Sequence, residues 1–216
     1  MPDYATLRNK QTSLIRKALD GSVFTGPISA PLLTSLTGTG GTLNALPTSM
    51  TDLGWLSTDG AQFSRDVSTS DVTSWGSVTP TRSDITADTT TLTVLCQETK
   101  LQTIGLATGA DVAGIKAAAN GEVVIKKPNR PSSRSYRVLS LAVDQGDAGD
   151  IYLARYLPRA KVTSYAEQNF GGGDDPVGWG VTFTSEEDAD AGYAEAWFFG
   201  GPGWMAELAS MGFETV

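Results

Sequence analysis

The carboxylates are the residues of this sequence best suited to catalysis, because its 216 residues include no histidine. Without histidine, a Ser-His-Asp or Cys-His mechanism and a histidine-containing zinc site are excluded. A pair of carboxylates can still hydrolyse a glycosidic bond when the two groups lie at a suitable separation. The densest acidic cluster, Glu186, Glu187 and Asp188, falls in a predicted turn. The sequence therefore predicts a protein that is not an enzyme.

Two other segments contain residues found in binding motifs, but their spacing differs from those motifs. Asp144, Asp147 and Asp150 lie three residues apart, whereas an EF-hand calcium loop needs acids two apart, a central glycine and a closing glutamate. Residues 34–48 contain TGTGG, yet no Gly-Lys-Ser/Thr follows, as a phosphate-binding loop requires. We therefore expect a solvated turn and a flexible loop or arm, with no metal or cofactor.

The charge is unevenly distributed along the chain. The net charge of −8 disfavours a protein that grips nucleic acid by neutralising phosphates, and an acidic surface also keeps a subunit soluble. Opposite charges on separate segments suit contacts between copies of one chain. Basic residues are concentrated in residues 4–19, with Arg8 and Lys10, and in residues 116–137, with Lys126, Lys127 and Arg130; the acidic segments are 144–150, Asp174-Asp175 and 186–190.

The single cysteine, Cys96, lies among apolar and β-branched residues in a predicted strand. It has no partner for an intramolecular disulfide, so we expect a buried, inert thiol in a reducing compartment. No apolar stretch follows a basic N-terminal region, and no apolar run approaches the length of a membrane span. The sequence therefore predicts neither secretion nor a membrane span.

A series of strand signals without a helical period runs through residues 51–100. Leu53 and Trp55 lie at alternating positions before Asp59-Gly60, a dipeptide typical of a two-residue hairpin turn. We therefore expect a strand over about residues 61–69 to pair with the segment before the turn. A third run, 72–78, carries Trp75 and ends before Pro80. Residues 89–98 predict a fourth strand, with Leu92, Val94 and Cys96 on one face.

The remaining segments add helices and strands to this meander. Asp3 can cap a helix over about residues 4–19, and residues 98–109 favour a short helix that covers one side of the sheet. Gly26-Pro27 interrupts an edge strand over residues 22–30, and Asn120-Gly121 predicts a turn before a strand over 123–128. Further strands are predicted over 136–143, 151–157, 177–183 and 193–199, followed by a short helix or a mobile tail.

These signals predict one domain over residues 1–216, with 1–20 as an N-terminal helical arm and 205–216 as a mobile tail. The fold class is α+β and mainly β: an antiparallel sandwich or half-barrel with a short flanking helix and long loops. Trp55 and Trp179 occupy alternating strand positions and are predicted core residues. Trp75 and Trp204 are predicted on the surface, as anchors of a protein interface or as part of a sugar-stacking platform.

Several sequence segments also resemble those of a known family. The run LGWLSTDG is followed by SWG, by Arg82 and by a threonine-rich strand that ends in QET. Further along the chain come YLPRAKVTS, GWGVTFTSEEDADAG and AWFFGGPGW. These segments resemble the major tail protein, or tail tube protein, of long-tailed bacteriophages of the siphovirus type. The similarity covers roughly residues 50–204.

This resemblance implies a structural virion protein that forms hexameric rings, whose sheets join edge to edge and whose rings stack into a tube for the passage of DNA. It implies the protein itself, the tape measure and the terminator as partners, and a place in the virion tail after assembly in the host cytoplasm. The alternatives are a carbohydrate- or receptor-binding sandwich, a decoration subunit and a tail terminator. The candidate assembly residues are Arg8, Lys10, Trp75, Lys126, Lys127, Arg130, Asp174, Asp175, Glu186 and Glu187.

Overall fold

The computed structural model describes residues 3–127, 129, 133–173 and 176–214. Eight strands and three helices account for its regular structure, with single turns of 3-10 helix at Thr12–Leu14 and Thr39–Gly41. The strands are β1 (Asp20–Pro27), β2 (Thr51–Asp52), β3 (Gln62–Val72), β4 (Arg82–Cys96), β5 (Ser135–Gly146), β6 (Gly149–Tyr165), β7 (Trp179–Ser185) and β8 (Ala196–Gly200). The helices are α1 (Tyr4–Leu7), α2 (Leu101–Thr108) and α3 (Pro202–Met211).

All eight described strands belong to one antiparallel sheet in the order β2-β1-β5-β6-β7-β4-β3, with β8 paired to β6. The long strand β6 pairs with β8 over its first half and with β7 over its second half. This arrangement confirms the predicted mainly β, α+β fold. Because the strands form a single sheet, the half-barrel describes them better than the two-sheet sandwich.

The segment that follows β2 brings the two ends of this sheet close together. At its start, the Leu53 N–H donates to the Val23 carbonyl in β1 over 2.9 Å. At its end, the Ser57 N–H donates to the Leu95 carbonyl in β4 over 2.9 Å, and Leu56 forms a bridge to Cys96. The open sheet must therefore curve, and its concave face encloses the main core.

Alternating side chains divide the sheet into two buried layers. Val138 and Leu157 point into the concave core, where α2 contributes Leu106. Their neighbours Leu139 and Tyr156 point to the opposite face, as the period of two along a strand requires. The concave core contains Val23, Leu53, Leu92, Val94, Cys96, Leu106, Val138, Leu157, Ala160, Val181 and Phe183.

The loop between β1 and β2 covers the convex face of β5 and β6. Its residues Leu33, Leu36 and Met50 are buried against Leu139 and Tyr156, and the Leu33 N–H lies 3.5 Å from the Tyr156 hydroxyl. The threonine- and glycine-rich segment 34–48 was predicted to be a flexible loop or an arm. It is a loop without a strand or an α-helix, as predicted, but it is not a free arm, because Leu36 within it and Leu33 and Met50 beside it are packed on the sheet.

The predicted N-terminal helix over residues 4–19 is also wrong beyond its first turn, since α1 ends at Leu7. Two hydrogen bonds to the end of β5 explain the difference. The Lys17 N–H donates to the Asp144 carboxylate over 3.0 Å, and the Leu19 N–H donates to the Val143 carbonyl over 2.9 Å. A helix would have kept these donors for its own backbone. Asp144 is therefore a buried structural acceptor and not part of a solvated acidic turn.

Three predictions about strands were wrong. The turn at Gly60 exists, with φ at +64°, but β3 pairs with β4 and not with the segment before the turn. The run 72–78 is the tip of that hairpin, and residues 123–127 form no strand. Local turn and strand signals indicated extended backbone but could not select the partner. The predicted edge strand is β1, which pairs with β5 and, over two residues, with β2.

Candidate assembly surfaces

The outer part of the β3–β4 hairpin is the most exposed feature of the described chain, and we call residues 64–88 the arm. Every residue of the arm is exposed. At the base of the hairpin, β4 also pairs with β7 from Thr91 to Cys96; beyond that point β3 and β4 pair only with each other. The arm is thus a two-stranded ribbon with solvent on both faces.

A ribbon of this kind has little to stabilise it within one chain. An isolated two-stranded hairpin is marginally stable in water, and stable sheets normally add a third strand or a packed face. The arm has cross-strand hydrogen bonds, a bulge between Ser68 and Thr69, and two exposed ion pairs. Arg65 pairs with Asp88 at 2.5 Å, and Arg82 with Asp84 at 2.6 Å. Exposed pairs contribute little to stability.

The hairpin ends in a compact, uncharged tip loop, residues 73–81. The Thr81 N–H donates to the Val72 carbonyl over 2.8 Å, and the Ser77 N–H donates to the Ser74 carbonyl over 3.1 Å. Gly76 adopts φ of +82°, which favours glycine in this turn. Trp75 and Val78 are fully exposed. The tip loop therefore presents two apolar side chains on an ordered backbone, which is the arrangement of an interface anchor.

Apolar side chains also lie on the ribbon itself. Val67 and Ile85 are exposed and occupy the ribbon face that carries Phe63 and Leu92 at its base. Neither residue was among the predicted assembly residues. The two strands beside SWG are polar and rich in threonine and serine, and they lack the apolar alternation of a strand that covers a core. This composition could have indicated an exposed hairpin.

The predicted basic candidates that the structure describes are all exposed. Arg8 and Lys10 follow α1, while Lys126 and Lys127 lie in a segment without regular structure. None of these four side chains forms an ion pair with another described residue. They remain available for a partner of opposite charge. Arg130, Asp174 and Asp175 lie outside the described residues.

The acidic turn after β7 is largely occupied by contacts within the chain. Glu186 lies 2.7 Å from Lys161 and 3.4 Å from Arg159. Asp188 is buried 3.6 Å from the buried Arg137 and accepts the Ala191 N–H at 3.0 Å. Of the acidic residues in this turn, Glu187 and Asp190 are exposed. The turn is therefore a structural junction more than an acidic docking patch.

A family model described as phage tail tube protein matches residues 9–199 of the chain. The chain belongs to the phage tail tube family. The match contains the whole arm and nearly all of the sheet. No curated protein matches the chain significantly.

Membership of the tail tube family identifies a structural protein of the phage virion tail, whose copies assemble into a tube with other tail proteins. Proteins of this family are generally not enzymes. None of the described helices combines the length and apolar character needed to cross a bilayer. In this family member, the arm is the longest uninterrupted run of exposed residues in the described part of the chain.

The tryptophans are not distributed between core and surface as predicted. Trp55 was predicted in the core, but its side chain is 75% exposed. Gly54 adopts φ of +88°, which interrupts the alternation that would have placed Trp55 beside Leu53. Trp179 is half-buried against the core and donates through its indole N–H to Thr99 over 3.2 Å. Trp204 is half-buried in α3 and stacks on Phe199 at 4.9 Å.

Proposed function

We propose that this chain forms hexameric rings that stack into the tail tube of a siphovirus-type phage, through which DNA passes. We also propose that residues 1–216 act as one domain in this assembly. The observation that carries the proposal is the arm, a ribbon exposed on both faces that ends in two unpacked apolar side chains. Contact with neighbouring copies would give this ribbon the packing that its own chain lacks.

The strand edges favour a ring of joined sheets. Among the described strands, β3 pairs on one side only, and the two-residue β2 leaves most of the outer edge of β1 without a ladder partner. Exposed edges are templates for pairing with another chain. A closed ring would satisfy these edges and leave none open to uncontrolled aggregation.

The net charge of the chain suits a tube through which DNA passes. With a net charge of −8 per copy, a tube of many copies repels a polyanion on average, so DNA could move through it without binding to the wall. A stack of rings also has two ends and a lumen, which need other components. We propose the tape measure and the terminator as these partners, and the host cytoplasm as the place where the subunit awaits assembly.

We propose that the exposed basic residues set the register between copies. Lys126 and Lys127 have no ion-pair partners among the described residues. Glu187 is an exposed acidic residue that could pair with them in a neighbouring copy. Charged contacts of this kind add more to partner selection than to affinity. Reversing Lys126, Lys127 and Arg130 to glutamate should leave the subunit folded and stop tubes from forming. Normal tubes from the triple variant would remove these residues from the proposal.

Electron microscopy of the purified protein tests the proposed function directly. Hollow tubes or stacked rings of sixfold symmetry are the expected result. Dispersed monomers over a wide range of concentration and salt would contradict the proposal. A glycan array on the same preparation tests the carbohydrate-binding alternative, because a carbohydrate-binding subunit would bind without assembling.

A further inference from the structure

A groove lined by aromatic residues opens on the concave side of the sheet, at the edge of the main core. It has a volume of about 560 Å³, within the range of sites that bind compact apolar groups. Trp55 and Phe63 contribute from the segment before and at the start of β3, while Trp197 and Phe199 contribute from β8. Trp55, Trp197 and Phe199 are all substantially exposed. We call this cavity the aromatic groove.

The aromatic groove is almost neutral. Asp20 and Arg155 are the ionisable residues among its described lining. Glu195 holds Arg155 at 2.5 Å and also accepts the Thr90 hydroxyl over 3.0 Å. The Arg155 guanidinium lies 3.8 Å above the Phe63 ring and 5.3 Å from the Trp197 ring. Its charge is therefore compensated, and its flat face adds to a surface that suits an uncharged aromatic group.

The tip loop has the chemistry that this groove accepts. Its sequence, TSWGSVTPT, contains no charged residue. Trp75 and Val78 are fully exposed, and the hydrogen bonds of the tip hold their backbone in place. Transfer of an indole from water into an aromatic cleft would bury a large apolar area, about 150–250 Å² for a side chain of this type.

Within one chain the tip loop and the groove are far apart. Phe63 lines the groove at the base of β3, and residues 64–72 carry the strand away from it. An extended strand of this length spans about 30 Å, at roughly 3.3 Å per residue. The two surfaces can therefore meet only between copies. A contact of this type is heterologous and repeats from copy to copy, which generates a ring or a stack.

We propose that the tip loop of one copy inserts Trp75 and Val78 into the aromatic groove of the next copy. This inference rests on the proposed function, since it assigns the contact that joins neighbouring subunits of the tube. The competing occupant is the N-terminal segment of another copy, which exposes Tyr4, Leu7 and Ile15. That segment also carries Arg8 and Lys10, and the groove offers only Asp20 as an unpaired acid, so the neutral tip loop fits better.

A photocrosslinking experiment on assembled protein tests the assignment. Trp75 is replaced by benzoylphenylalanine, tubes are irradiated, and the crosslinked peptides are located by mass spectrometry. The expected partners are residues 55–63 and the β8 residues Trp197 and Phe199 of a second copy. Crosslinks to any other surface would overturn the inference. Benzoylphenylalanine at Tyr4 provides the comparison: if it labels the groove instead, the N-terminal segment is the occupant and the inference is wrong.

A pair of variants makes the test independent of the probe. Trp75→Ser should raise the critical concentration for assembly by roughly tenfold or more, as expected for a buried aromatic anchor. Phe170→Ser is the matched control, because Phe170 is also a highly exposed aromatic residue, with 80% exposure, and lies outside the arm and the groove. Equal effects of the two changes would overturn the inference. If the unaltered protein forms no tubes, the proposed function itself fails; if it does and Trp75→Ser assembles normally, only the inference fails.

Discussion

The β3–β4 hairpin has two parts with opposite physical character. At its base, Leu92 and Val94 are fully buried in the concave core, and β7 continues the sheet beyond β4. In the arm, the same two strands have solvent on both faces and no third strand. Burial of apolar area stabilises the base, whereas the arm contributes little burial to the isolated subunit. The fold therefore separates the residues that stabilise one copy from those that are free to contact another.

The largest expected contrast is between a core residue and an arm residue. Phe183→Ala removes a fully buried side chain and should lower the free energy of unfolding by about 3–5 kcal/mol. Ile85→Ala truncates an exposed arm residue and should change it by less than about 0.5 kcal/mol. Urea denaturation of the unassembled subunit measures both. A comparable loss from Ile85→Ala would show that the arm packs within its own chain.

A second contrast compares two arginines in ion pairs. Arg137 is buried, lies 3.6 Å from Asp188 and donates to the Ala30 and Pro158 carbonyls over 2.6 and 3.0 Å. Arg137→Met leaves a buried carboxylate without its partner and should cost about 3–5 kcal/mol. Arg65→Met breaks an exposed pair in the arm and should leave the denaturation midpoint unchanged. Equal midpoints for the two variants would contradict the assignment of Arg137 to the structural junction.

The two tryptophans first predicted to be equivalent should also separate. Trp179→Ala removes a half-buried side chain packed on the core and should cost roughly 1–3 kcal/mol. Trp55→Ala should change the stability of the subunit by about 0.5 kcal/mol or less, because its side chain lies mostly in solvent. Thermal melting of the two variants decides the matter. Equal losses of stability in the two variants would show that Trp55 is packed in the core.

The smallest effect concerns the thiol of the buried cysteine. Burial raises the pKa of Cys96 to about 11 from an ordinary value of 9.0. Because the unfolded chain releases this proton first, the contribution of the thiol to stability is complete below pH 9 and is lost as the pH rises towards 11. At pH 10 the loss should be about 1 kcal/mol. Cys96→Ala is the control, and the same decline in that variant would assign it to other groups.

The sequence was informative where a segment has one buried face. Leu92, Val94 and Cys96 alternate, and all three lie in the concave core. The same pattern predicted β6 and β7, and residues 98–109 correctly predicted the short helix α2. The alternation failed at Trp55, because Gly54 adopts a positive φ that interrupts the regular strand, and no side-chain pattern reports a backbone angle.

Pairing between distant segments could not be predicted. The N-terminal segment follows β5 because Asp144 accepts the Lys17 N–H, and this contact depends on a residue more than a hundred positions away. The arm was missed for a related reason: residues 61–69 were predicted to pair with the segment before Asp59-Gly60, and residues 72–78 to form a further strand. Besides the polar composition of the two strands, Gly76 at the tip was a signal, since a glycine between two polar strands is typical of a turn.

We expect assembly to depend on the arm and the stability of the subunit to be independent of it. In the most direct test, residues 67–88 are replaced by Asn-Gly, which closes the hairpin at the paired residues Asp66 and Thr89 with a two-residue turn. The shortened protein should unfold at nearly the same urea concentration as the full chain and sediment as a monomer under conditions in which the full chain forms tubes. Tubes of normal length from the shortened protein would contradict the account.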